Sequence, residues 1–223
     1  MPKGTVIFDL DGTLADTSGD LIAAANAALV GLGHAPQLVH GPDNATAVRG
    51  GRAMLRLAFE RLTIPEAAAV EQIEAGYPLL LEAYGAAIDV YTRFYPGALD
   101  AVNSLKEKDF KVGICTNKPE ALADLLLVRL GVRDLFGSLI GADTLPTRKP
   151  DPRPYYAAVE RAGGHVARSL LVGDTETDRH TAQAASVPCI LVGFGGDVTA
   201  LAPEGIIRDY AELGPAVLRL LGN

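Results

Sequence analysis

The sequence predicts an α/β fold: a doubly wound parallel sheet with an all-helical segment inserted after its first strand. Three observations carry that expectation. Val6-Ile7-Phe8 is a short apolar run that reads as a buried strand and ends on two carboxylates, Asp9 and Asp11. From residue 95 onward strand-like and helix-like stretches alternate, the pattern of a parallel sheet with right-handed crossovers. Between the two, residues 16–91 hold no convincing strand. The catalytic core is therefore expected over residues 1–15 and 92–223, and a helical domain over 16–91.

In chain order, Asp16-Thr17-Ser18-Gly19-Asp20 before an alanine-rich run predicts a capped helix, ended by Gly31 and Gly33. Residues 48–62 and 65–86 read as helices, the second opened by Pro65. After Tyr95-Pro96-Gly97 a helix is expected over 98–108 and a strand over 110–116. A helix over 119–130 leads to a short strand over 138–142. Helix 152–162 precedes a strand over 169–173, and helix 176–185 a strand over 188–192. A short strand at Ile206-Ile207 and a helix over 210–221 close the chain. Sheets of this kind place ligands at the carboxyl ends of their strands. Polar residues gather there: Asp9 and Asp11, Thr116-Asn117-Lys118, and Gly173-Asp174-Thr175, with a further loop carrying Lys149 between Pro146 and Pro150.

Composition narrows the function classes. A chain of 223 residues buries a sizeable core. Its net charge of -7, with no basic block, argues against a nucleic-acid surface. Apolar runs are too short to span a membrane. Pro2-Lys3-Gly4 leads straight into the first strand, so no signal peptide is expected. Cys115 and Cys189 each sit inside an apolar run and are expected to be buried free thiols, in keeping with a reducing cytoplasm. No internal repeat is present.

The paired acids carry the chemistry. A carboxylate at the end of a buried strand loses hydration, and a second one nearby adds repulsion, so the pair calls for a cation or a proton. Gly12 supplies the backbone freedom for a sharp exit from the strand. The arrangement points to a metal-assisted nucleophile.

Asp9-Leu10-Asp11-Gly12-Thr13, Thr116-Asn117, Lys149-Pro150, and Gly173-Asp174 with Asp178 resemble, in order and spacing, the four motifs of the haloacid dehalogenase-like hydrolase superfamily. The likeness spans residues 5–195. The helical block after the first motif resembles that superfamily's four-helix cap domain. Asp16-Thr17-Ser18-Gly19-Asp20-Leu21 with Asn26, Leu29 and Leu32-Gly33, and the return Tyr95-Pro96-Gly97-Ala98-Leu99, are similar to its phosphoglycolate phosphatase-like branch.

The resemblance implies a Rossmann-like core, Mg²⁺ as cofactor, and hydrolysis of a small phosphate ester through an aspartyl-phosphate. On it, Asp9 is expected as nucleophile and Asp11 as general acid and base. The metal site is expected from the Asp9 side chain, the Asp11 backbone carbonyl and Asp174, an all-oxygen set suited to Mg²⁺. Asp178 is expected to orient a metal-bound water or Lys149; an acid favoured at a helix N-terminus is the other reading. Thr116 is expected to donate its hydroxyl to a phosphate oxygen beside the Asn117 amide, or simply to end a strand. Lys149 is expected to neutralise phosphate and Asp9 together, a solvated surface lysine being the alternative.

The helical domain is expected to set the substrate and to close as a lid, with hinges over 14–17 and 91–96. Related phosphatases carry a glycine-containing substrate loop where Val48-Arg49-Gly50-Gly51-Arg52 stands. Arg49 or Arg52 would hold a substrate carboxylate there, or both are solvated helix-surface arginines. No metal-ligand spacing links the histidines, and His180 is expected at the surface or near the site. Two other readings share the motifs: a phosphomutase of the β-phosphoglucomutase type, and a non-catalytic phosphate-binding module. The partner is expected to be a small-molecule phosphate ester, the chain a monomer or homodimer.

Overall fold

A computed structural model describes residues 2–194 and 196–222. In chain order the elements are β1 (Gly4–Phe8), β2 (Ala15–Asp16), α1 (Ser18–Gly31), α2 (Asn44–Ala47), α3 (Gly51–Arg61), α4 (Glu66–Ala86) and β3 (Arg93–Phe94). Then come α5 (Ala98–Glu107), β4 (Phe110–Cys115), α6 (Glu120–Arg129), β5 (Leu139–Ile140), α7 (Arg153–Arg161), β6 (Ser169–Gly173), α8 (Glu176–Ala185), β7 (Cys189–Val192), β8 (Gly205–Ile207) and α9 (Leu213–Leu221). The chain divides into two compact units, residues 1–15 with 94–223, and residues 16–93.

The first unit is a six-stranded parallel sheet in the order β5-β4-β1-β6-β7-β8 with helices alternating along it. It is the Rossmann-like α/β fold the alternating pattern predicts. β1 is central, paired through Phe8 with Ile114 of β4 on one side and with Val172 of β6 on the other. The chain winds outward from β1 in both directions, so the switch point lies at its carboxyl end. Strands covered on both faces need apolar residues throughout rather than alternation. Val6, Ile7 and Phe8 are accordingly fully buried, as are Leu170, Leu171 and Val172. Ile7, Cys115, Leu171 and Leu191 share one core cluster with Tyr155 and Val159 of α7. Cys115 and Cys189 are buried free thiols, as expected. Among the described residues no helix is long and apolar enough to cross a membrane.

The second unit is built from α1–α4. Met54, Leu55, Ala58 and Phe59 line the buried face of α3, and Ile73, Leu80 and Tyr84 that of α4, at helical spacing. Polar side chains hold the connections. Asn26 Oδ1 accepts from the amides of Gln37 and Leu38 at 3.0 Å each, and its Nδ2 donates to Leu38 O. The buried Asp20 accepts from the Tyr91 and Thr92 amides and the Thr92 hydroxyl. Arg61 forks onto both oxygens of Asp43 at 2.6 and 2.8 Å.

Four details differ from the sequence reading. The helix expected from 48 starts at Gly51, because Gly50 has a φ of +99°, outside helical space. The four-residue α2 and the two-residue β2 and β3 were not anticipated, being too short for any periodicity. At the start of α1 it is Asp16, before the first turn, that accepts from the Ser18 amide and hydroxyl at 3.0 and 2.6 Å. The last helix opens as a tighter 3-10 turn over Tyr210–Glu212.

Arg61 holds the Asp43 carboxyl below the usual carboxylate range, outweighing burial, with the Val39 amide adding to the effect. The unfolded value is about 3.9. A depressed folded value gives stability that is fully present above the unfolded value and lost as pH falls through the folded value. Asp43→Asn should therefore cost about 1–3 kcal/mol at neutral pH. Its stability should also fall less than the parent's on acidification below pH about 4, as read by urea unfolding at both pH values.

Candidate active site

Asp9 follows directly on β1, its amide continuing the ladder to Val172 O at 2.8 Å. Its Oδ1 accepts from the Leu10 amide at 2.7 Å and its Oδ2 lies 3.0 Å from Lys149 Nζ. Burial pushes its carboxyl up to about 6; Lys149 opposes this while Asp178 and Asp11 add to it. Three residues on, Gly12 turns the chain with a φ of +79°, and a Cβ there would meet Asp174 Oδ2 at 2.3 Å. Only glycine fits that close approach.

At the end of β6, Gly173 is similarly obligatory, since a Cβ would sit 2.3 Å from the Asp178 carboxyl carbon. Asp174 Oδ1 accepts from the Thr13 hydroxyl at 2.8 Å. Burial, then Asp178 and Asp9, push its carboxyl well above the usual range, against Thr13 and Lys149. Asp178 opens α8 in a capping box with Thr175. Its Oδ2 accepts from the Thr175 hydroxyl at 2.6 Å and its Oδ1 takes Lys149 Nζ at 2.6 Å. Asp178 thus caps α8 with one oxygen and pairs with Lys149 through the other.

Lys149 arrives on the loop after β5, 3% exposed, so it is no solvated surface lysine. Burial lowers its proton affinity, but Asp178 and Asp9 outweigh that and raise it. Asn117 Nδ2 fastens this loop by donating to Lys149 O at 3.0 Å. Thr116, after β4, is buried; its amide donates to Ile140 O and its hydroxyl accepts from the Lys118 amide at 3.2 Å.

Carboxylate oxygens of Asp9, Asp174 and Asp178 lie within 4.8 Å of one another. Asp178 takes Lys149 Nζ on Oδ1 and the Thr175 hydroxyl on Oδ2, Asp9 takes the Leu10 amide on Oδ1 and Lys149 Nζ on Oδ2, and Asp174 takes the Thr13 hydroxyl on Oδ1. Asp9, Asp11, Asp174 and Asp178 face two buried ammonium groups, so their ionised forms leave two negative charges. An oxygen-preferring divalent cation fits that donor set and that deficit.

The sequence model of the haloacid dehalogenase-like hydrolases matches residues 6–192. The chain belongs to that family. A phosphoglycolate phosphatase of Agrobacterium fabrum is 38% identical over 222 residues, covering 96% of this chain and 92% of the relative. One of Mesorhizobium japonicum is 33% identical and covers all of both chains. A solved structure from Lactobacillus delbrueckii subsp. bulgaricus superposes with a TM-score of 0.83 at 22% identity over the whole of each chain, showing the same fold.

Two residues of this family member escaped the sequence reading. Lys118 Nζ holds both oxygens of Asp11, at 2.7 and 2.9 Å. Tyr210 donates its hydroxyl to Thr13 O at 2.7 Å, bracing the turn that carries Asp11 and Gly12. Neither had a signal, since the partners lie 107 and 197 residues apart. Arg49 and Arg52 belong to the helical unit. Arg49 is exposed. Arg52 is exposed but engaged, bidentate with Glu74 and stacked 3.8 Å above the Tyr77 ring. His180 lies exposed on α8 near Glu176.

Removing one partner of a buried pair leaves the other charge stranded. Asp178→Ala should accordingly cost about 3 kcal/mol in chemical denaturation at neutral pH. A loss under about 1 kcal/mol would mean that Asp9 alone satisfies Lys149.

Proposed function

We propose that this chain is a Mg²⁺-dependent phosphatase of a small phosphorylated metabolite, of the 2-phosphoglycolate kind, working through an aspartyl-phosphate on Asp9. The observation that carries the reading is the convergence of Asp9, Asp11, Thr116, Lys149 and Asp174 from four loops at one end of the sheet. The naming of its relatives as phosphoglycolate phosphatases, at 33% and 38% identity, supports the substrate class.

In this mechanism a carboxylate oxygen of Asp9 attacks phosphorus. The bond from phosphorus to the ester oxygen breaks, and that oxygen leaves with a proton supplied by Asp11. Asp11 then takes a proton from the water that attacks the acyl phosphate, releasing inorganic phosphate and restoring Asp9. Thr116 and the Asn117 amide donate to the phosphoryl oxygens, and Lys149 offsets their charge while tied to Asp9 and Asp178. Mg²⁺, when bound by the Asp9 and Asp174 carboxylates and the Asp11 backbone carbonyl, would offset the charge developing on the phosphoryl group. Asp178 acts on this set through Lys149.

Discrimination among phosphate esters is assigned to the helical unit as a cap. Of its two candidate arginines, Arg49 is the stronger, because Arg52 is already held by Glu74 and Tyr77. The two buried thiols support a reducing compartment, and the cytoplasm is the location we propose.

A panel of phosphate-release assays with 2-phosphoglycolate, sugar phosphates and nucleotides tests the reading directly. Stoichiometric release from a carboxylate-bearing ester is expected, and conversion of a sugar phosphate into its isomer would instead indicate a mutase. Asp9→Asn should lower turnover by at least about 1,000-fold with the fold intact by circular dichroism. Chelation by EDTA should stop turnover reversibly. Substantial activity in either case would refute the nucleophile or the metal, respectively.

A further inference from the structure

Lys118 is an unusual lysine. It is 7% exposed, and its backbone is fastened on both sides. Its amide donates to Thr116 Oγ1 at 3.2 Å, its carbonyl accepts from the Ala142 amide at 2.9 Å, and Pro119 behind it precedes α6. The β1–β4 register, Phe8 opposite Ile114, sets the loop after β4 beside the loop after β1. From this fixed base the ammonium takes both carboxylate oxygens of Asp11. A lysine commonly costs side-chain entropy to hold in one geometry. Here the burial and the three backbone constraints have removed that freedom already.

We propose that Lys118 is a positioning residue for the reaction, acting through Asp11: it locks the Asp11 carboxyl in one rotamer, aimed at the oxygen of the departing alcohol. The inference rests on the reading of Asp11 as the acid and base. The group shared by both oxygens of a carboxyl prevents rotation about the Cβ–Cγ bond, and it leaves a lone pair of each oxygen outside the clamp. Lys149 performs no such service for Asp11, being committed to Asp9 and Asp178. The two buried lysines thus divide the two acids between them. Because Lys118 sits two residues after Thr116, the same loop that would hold the phosphoryl group also sets the angle of its proton donor.

Leaving groups separate this role from a structural one. The alcohol of 2-phosphoglycolate needs a proton to depart, whereas p-nitrophenolate departs without one. The quantity to measure is kcat/KM, which covers only the steps up to release of the leaving group. Lys118→Met should lower it about 10- to 100-fold for 2-phosphoglycolate or another alkyl phosphate, and less than about threefold for p-nitrophenyl phosphate. Lys118→Gln, a second neutral variant, should show the same selectivity, and Lys118→Arg should recover about tenfold of the loss. In an Asp11→Asn background, adding Lys118→Met should change the alkyl phosphate rate by less than about threefold, because its effect runs through the group already removed.

Equal losses on both substrates, or losses that multiply in the double variant, would overturn the positioning role. Asp11→Asn alone distinguishes the two levels. If it is itself selective against alkyl phosphates while the Lys118 variants are not, only the role of Lys118 falls. If Asp11→Asn slows both substrates alike, the reading of Asp11 falls and the role of Lys118 with it.

Discussion

Four carboxylates at the carboxyl end of a buried sheet, answered by two ammonium groups, set the terms for the rest of this molecule. Asp9 and Asp174 lose hydration there, and the acids around them raise the cost of ionising them. Burial drives Asp9 up to about 6 and Asp174 well above the ordinary range. Lys149, wedged between Asp9 and Asp178, is bound all the more tightly to its proton by the same crowd. A deficit of two positive charges in a space of this size is what a divalent cation removes, and a dianionic phosphate would then restore. The protein alone is not at electrostatic rest in this region.

Backbone design follows from that crowding. Side chains of four separate loops can meet only if the backbone leaves them room, which is the task of Gly12 and Gly173. They can stay in register only if the loops are pinned. Tyr210 braces the turn after β1, Thr13 braces Asp174, and Asn117 braces the Lys149 loop. The sheet order makes the meeting possible in the first place, with β1 flanked by the strands that carry Thr116 and Asp174. Each bracing group is a hydrogen bond of modest net worth. Their value lies in denying the carboxylates an escape to solvent.

Much of this was legible in the order of residues. Apolar runs closed by polar clusters gave the strands their places, and glycine and proline punctuation gave most helix ends. Asp9, Thr116 and Asp174 drew notice because each follows a strand, and Asp178 because it stands in the first turn of a helix, while Lys149, on a loop between Pro146 and Pro150, drew notice through its likeness to a family motif. Lys118 carried no such mark: beside Thr116 and Asn117 it reads as one more loop lysine, and its meaning lies in a carboxylate on another strand. Arg52 shows the same limit from the other side. Its sequence position suggested a substrate-carboxylate ligand or a solvated helix-surface arginine, and it is an exposed arginine of α3 paired with Glu74, 22 residues on, and stacked on Tyr77. Pairings across the fold are a property of topology, and composition around a residue does not reveal them. The short elements α2, β2 and β3 escaped for a simpler reason, since two to four residues have no period.

The division of labour between the two lysines bears on why the paired acids after β1 behave differently although they are only two residues apart. Lys149 touches Asp9 and Asp178 but is buried almost completely, so its charge acts on the interior of the cluster. Lys118 stands on the other side, against Asp11, whose side chain keeps more exposure than that of its cationic partner. Asp9 therefore shares its cation with Asp178, while Asp11 is paired with a different one. The difference between the surroundings of the two acids is thus not a property of the Asp-Leu-Asp sequence, which offers the same side chain twice. It is imposed by which loop of the sheet supplies the counter-charge.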